Sequence, residues 1–207
     1  GLPGCDGGNL NVFYIGPSQQ EGTFDYINVL EALDPNTTEY RWNNTGFGDW
    51  AAGDSNWWPG QFPNSRDHTA IFADTIVSPS TVITDEAVTV NKIVFDHNQS
   101  YVIAGFGSVN LQATSLNTLP EISVMQGAHQ IQALTTISSD TTVNIAADST
   151  LTFHNALNLN GRSLTKTGAG TVEIRNDLVT AGGTLLVVEG TVLGNGTVGG
   201  DLMNTGG

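Results

Sequence analysis

Charged residues are scarce in this chain, at 13 % of 207 residues, about half the usual share of a soluble domain. Basic residues are the scarcest, six Lys and Arg against 20 Asp and Glu, which leaves a net charge of −14. A field of that sign disfavours nucleic acid and anionic membrane surfaces as partners. The single cysteine, Cys5, has no partner for an internal disulfide and is a candidate intermolecular thiol. No apolar run approaches the ~18 residues of a membrane-spanning helix, so no membrane span is expected. Stretches rich in Lys, Glu, Arg and Ala, which clothe helix bundles, are also missing. The chain opens on Gly1 with neither an initiating Met nor a signal peptide, as expected of a processed or partial chain.

What the chain has instead is Gly, Thr and Asn between short apolar segments. Three textures follow one another. Residues 1–40 are irregular and form a non-repeat segment. Residues 41–79 hold all four tryptophans (Trp42, Trp50, Trp57 and Trp58) among Gly, Asn, Asp and Pro. Such a stretch predicts a loop-rich cap in which large rings supply the burial. From residue 80 onward the pattern is monotonous: Val88-Thr89-Val90, Val109-Asn110-Leu111, Ile122-Ser123-Val124, Val143-Asn144-Ile145, Leu151-Thr152-Phe153 and Val172-Glu173-Ile174. These apolar–polar–apolar triplets have the period of a strand with one buried face.

The triplets also repeat their turns. Asp140-Thr-Thr-Val-Asn-Ile145 echoes Asp148-Ser-Thr-Leu-Thr-Phe153, and Gly-Thr-Val occurs at 170–172, 190–192 and 196–198. A β-sandwich has no reason to repeat its corners; a solenoid does, because every coil meets the same environment. A coil of ~20 residues cannot enclose a core alone, whereas stacked coils pair strand on strand at ~4.8 Å and build inward ladders. The expectation is an all-β parallel β-helix of about six coils over 80–207, a rod of roughly 29 Å, behind an irregular Trp-rich N-terminal cap.

Residues 164–202 carry a more specific signal. Leu164-Thr-Lys-Thr-Gly-Ala-Gly-Thr-Val-Glu-Ile174, then Gly183-Thr-Leu-Leu-Val187, then Gly190-Thr-Val-Leu-Gly-Asn-Gly-Thr-Val-Gly-Gly-Asp-Leu202 resembles the autotransporter-associated β-strand repeat. The stretch 42–111, through Gly48-Asp49-Trp50, Asn56-Trp57, Asp67-His68-Thr69-Ala70-Ile71-Phe72 and Phe95-Asp96, is similar to the opening of large secreted proteins bearing that repeat in planctomycete-type bacteria. The resemblance implies a right-handed parallel β-helix on the cell surface or in the extracellular matrix. It implies no catalytic residues.

Candidate sites are few. Trp57 and Trp58 offer aromatic faces for sugar stacking, and if the segment is extended one ring points inward and the other outward. Asp49, Asp54 and Asn56 among glycines, and Asp6 with Asn9, present oxygens of the kind calcium prefers; the alternative is Asx turns in a polar loop. No other cofactor is expected. The histidines His68, His97, His129 and His154 show no ligand pairing. A polysaccharide lyase would need a base from among Lys92, Arg162, Lys166 and Arg175; a hydrolase would need paired carboxylates, for which only Asp140 and Asp148 come near. Both stand at turn-like positions. The reading is of a non-enzymatic, secreted structural or adhesive protein, a surface stalk or fibre subunit. Its partners would be neighbouring subunits, through end-to-end strand pairing, and polysaccharide. A carbohydrate-binding module and a lyase are the alternatives.

Overall fold

The computed structural model describes residues 38–51, 56–115 and 118–206, in a compact unit that begins at Thr38. Four strands open it: β1 (Glu39–Trp42), β2 (Gly48–Asp49), β3 (Trp57–Trp58) and β4 (Ser65–Phe72). The first full coil is β5 (Ser80–Ile83) with the long β6 (Ala87–Asp96), and the second is β7 (Tyr101–Ala104), β8 (Ser108–Leu111) and β9 (Glu121–Gln126). Then come β10 (Ala128–Ile131), β11 (Leu134–Ile137) and β12 (Thr141–Ile145), followed by β13 (Thr150–Phe153), β14 (Leu157–Asn158) and β15 (Ser163–Thr167). The stack closes with β16 (Thr171–Ile174), β17 (Leu178–Val179) and β18 (Thr184–Val187), and with β19 (Thr191–Gly194) and β20 (Asp201–Asn204). No helix occurs among the described residues.

The fold is a parallel β-solenoid of about six turns. One face is a seven-stranded sheet running β2-β5-β7-β10-β13-β16-β19. The other two faces are wings of a thirteen-stranded sheet that share β6. The first half of β6 pairs with β8, through Val88↔Val109, and its second half with β9, through Ile93↔Ile122. A strand long enough to turn a corner thus serves both faces. Every strand pair is parallel except β1 with β3.

Register keeps like positions above one another. Val82, Ile103, Ile131, Phe153 and Ile174 form one inward ladder, all buried. Burial of each such side chain is worth ~1.5–3 kcal/mol relative to exposure. A slip of one residue would turn a whole strand's apolar set to solvent, which is why the triplet pattern fixes the register. The corners are tied by side chains of a preceding coil. Asp85 accepts the Phe106 N–H, Asp140 the Ser163 N–H and Asp177 the Thr197 N–H, each from 20 to 23 residues further on. Asp148 sits in the left-handed region at φ 60, as its turn-like setting suggested.

The Trp-rich segment caps the N-terminal end of the stack and is continuous with its sheets. β1 pairs in parallel with β4, β4 with β6, and β2 with β5, so the segment forms a degenerate first coil that shares the solenoid core. Trp42, Trp50 and Trp57 pack around Phe72 with ring centroids 6.2, 5.7 and 5.4 Å away. Phe72 stacks on Phe95 at 5.2 Å, and Phe95 on His129 at 4.6 Å, so the aromatic core runs on into the regular coils. The buried indoles of Trp50 and Trp57 donate to the carbonyls of Pro63 and Trp50, both at 2.9 Å.

Candidate functional site

Strand β3 explains the behaviour of the adjacent tryptophans. It lies antiparallel to β1, with Trp57 opposite Trp42 and Trp58 opposite Arg41. Because successive side chains of a strand alternate, Trp57 enters the core at 1 % exposure, while Trp58 remains 53 % exposed. Trp57 is therefore withdrawn as a ligand-stacking candidate: its ring is core and its N–H is bonded inside. Trp58 keeps a face in solvent. Beside it stands Arg41, also exposed. The ion pairs among the described residues are Lys92–Glu121 at 2.6 Å, Arg175–Glu173 at 2.9 Å and His68–Asp67 at 3.9 Å. Arg41 takes part in none of them. Sequence reasoning passed over this arginine, although the alternation Glu39-Tyr40-Arg41-Trp42 already placed it outward between two inward rings.

The oxygen-rich loop is occupied with its own hydrogen bonds. Asn56 is buried; its amide donates to the Asp49 carbonyl at 2.8 Å and its Oδ1 accepts from Asn44 at 2.9 Å. These bonds hold β2 against the start of β3. The Asp49 carboxylate faces solvent. Asp54, Cys5, Asp6 and Asn9 lie outside the described residues, and among the described residues no three His, Cys, Asp or Glu side chains converge on a point that would hold a metal.

The four basic residues considered for lyase chemistry are placed in three different ways. Lys92 and Arg175 are ion-paired. Arg162 is exposed at the turn after β14. Lys166 is the unexpected one: it occupies an inward position of β15, in register between Val143 and Val187, and is 1 % exposed. Its ammonium donates to the carbonyls of Thr167, Gly168 and Glu189 at 2.7, 2.6 and 3.1 Å. Burial pulls its pKa below the ordinary lysine value, against the opposing pull of Glu189. The side chain thereby ties two successive corners together. Gly190 must be glycine here: φ is 79°, and a Cβ would meet the Gly168 and Gly170 carbonyls and the Lys166 ammonium.

Two histidines are structural. His129 accepts the Tyr101 N–H at Nδ1 (3.1 Å) and donates from Nε2 to the Gln126 carbonyl (2.9 Å), so it is the neutral Nε2–H tautomer. Burial holds its pKa below the usual histidine value. His68 packs its ring 4.5 Å from that of Tyr40, and its Nδ1 takes the Asn64 N–H. Burial lowers its pKa, with Asp67 opposing. His97 accepts the Gln99 N–H in a surface turn. His97 lies near His129, both rings about 6 Å from that of Tyr101, and His154 follows β13, partly buried.

The structure brings together one outward-facing pair, Trp58 and Arg41, and distributes the remaining candidates among core, corners and ion pairs. Comparison with protein-family models, with curated proteins and with solved structures found no match to this chain.

Proposed function

We propose that this chain is a structural or adhesive β-solenoid, secreted or displayed on a cell surface, that serves as a stalk or as a subunit of an extracellular fibre or matrix. The observation that carries the reading is the stack itself: parallel, in-register pairing and one continuous apolar core run through the described coils. A sheet stacked in this way can add a further strand at an edge, and a second copy would continue the same ladders. Backbone pairing along the whole rod would also resist extension and proteolysis. Electron microscopy beside sedimentation over a concentration series tests this. The reading expects end-to-end particles with an axial repeat of one subunit, reduced by Leu202→Asp. A chain that stays monomeric at high concentration, with no end-to-end contact in any lattice or image, rules it out.

A second reading, a carbohydrate-binding surface at the opposite end, is favoured by Trp58 alone. A half-exposed indole on a two-residue strand suits stacking against a pyranose ring. A glycan array that gives signals abolished by Trp58→Ala supports it; an empty array, or signals indifferent to that change, removes it.

A further inference from the structure

We infer that the outward pair Trp58–Arg41 forms a subsite for an acidic sugar, a uronate unit carried on an otherwise uncharged glycan; this rests on the carbohydrate-binding reading. Three features of the molecule lead there. First, the pair is built by the fold: Trp58 and Arg41 are directly opposite residues of β3 and β1, so their side chains leave the same face of the sheet with Cβ atoms roughly 5 Å apart. Their inward neighbours, Trp57 and Trp42, are locked in the core, which holds the two strands in place beneath them. Second, the guanidinium has no ion-pair partner among the described residues. Arg66 and Arg162 share that property, but only Arg41 stands opposite Trp58. Third, the two chemistries suit one ligand. An indole face packs on the C–H face of a pyranose, and the planar fork of a guanidinium matches a carboxylate in a bidentate manner.

The electrostatics narrow the ligand further. The whole molecule carries −14, and Glu39 shares the outward face of β1 with Arg41. At physiological salt charges beyond ~8 Å are screened, so a single carboxylate seated on Arg41 feels its partner and Glu39, roughly 7 Å along the strand, but little of the rest of the molecule. A long polyanion laid along the rod would meet the remaining negative surface. The subsite therefore selects an isolated uronate over a polyuronate chain.

The test is calorimetric titration of the full chain with three probes. They are an oligosaccharide bearing one glucuronate, the same oligosaccharide with its carboxyl reduced to the alcohol, and an oligogalacturonate. The inference expects the glucuronate probe to bind about tenfold or more tightly than its reduced form, as charge-assisted pairing predicts, and more tightly than the oligogalacturonate. Arg41→Gln should erase that preference while leaving the reduced sugar's affinity within about twofold; Arg41→Lys should keep part of it; Trp58→Ala should weaken both. Thermal melts of each variant establish that the fold is intact. Equal binding of acidic and reduced probes, or a preference that survives Arg41→Gln, overturns the acidic subsite but leaves sugar stacking standing. No binding of any probe overturns the carbohydrate reading, and the subsite with it.

Discussion

At the N-terminal end of the stack three indoles surround Phe72, and the aromatic contacts continue through Phe95 to His129. At the C-terminal end the inward ladder stops at Val192, Val198 and Leu202, with β20 exposed along its whole length. Both ends belong to the same two sheets, the N-terminal one with the antiparallel pair β1–β3. The difference lies in side-chain volume and in what lies beyond the last ladder position. An irregular coil filled with large rings buries its apolar area without needing a next coil, because each Trp removes 150–250 Å² from water by itself. A regular coil of Val and Leu is complete only when another coil covers it. The two coils therefore bury their apolar area by different means, large rings in one and stacked aliphatic ladders in the other.

The comparison can be broken most directly at its aromatic centre. Phe72→Ala should lower stability by about 3–5 kcal/mol, as expected for removal of a large ring from a filled core, measured by chemical denaturation. A loss under about 1 kcal/mol would mean that the indoles pack independently of Phe72. Second in size is Lys166→Met. It removes the donor for three partly buried carbonyls, and leaving such groups unsatisfied should cost about 2 kcal/mol, concentrated in the coils of β15 and β18. Should Met prove neutral or stabilising, the lysine would be a packing residue only and its hydrogen bonds incidental.

Smaller effects sharpen the picture. Asp140→Ala removes one side-chain bond between coils and should cost about 1 kcal/mol, with Asp140→Asn recovering most of it. For His129 the sign follows from linkage: burial depresses its pKa in the folded state from 6.5, so the unfolded chain binds the proton more readily. Stability is then fully present above pH ~6.5 and declines as the pH falls through the folded value. His68 contributes in the same sense. His129→Phe, which keeps the stack on Phe95, should flatten that decline; an unchanged slope would assign it to other groups. Smallest of all, Leu202→Ala should change the stability of the isolated chain by less than about 0.5 kcal/mol, as at an exposed site.

Much of the fold was legible because the solenoid writes its register into the sequence. The triplets centred on Asn110, Ser123, Asn144 and Glu173 lie in strands with buried flanks and a more exposed polar centre, as the period-2 reading required, while Thr152 is itself buried and donates to Glu173. Three of the strands that escaped notice carry an inward residue that is not aliphatic. β10 turns His129 inward, β11 turns Thr135 inward and Leu134 outward, and β15 places Lys166 among valines. In each case the inward polar group is satisfied by a backbone partner, which only the three-dimensional arrangement reveals. The same holds for the corner aspartates: their turn positions were readable, but their bonds to the next coil depend on stacking. At the outward pair, the alternation of Trp57 and Trp58 followed from strand geometry. Arg41 was hidden because its partner strand is antiparallel and irregular, and no periodicity connects residues 41 and 58.

Hydrogen exchange, resolved coil by coil, tests the contrast between the two ends most directly. The account predicts slowest exchange in β4, β6 and β9, around the aromatic core, with protection falling through β15 and β18 to a minimum in β19 and β20. In an end-to-end assembly that last minimum should disappear. Uniform protection along the isolated chain, or a last coil as protected as the aromatic one, would contradict the account.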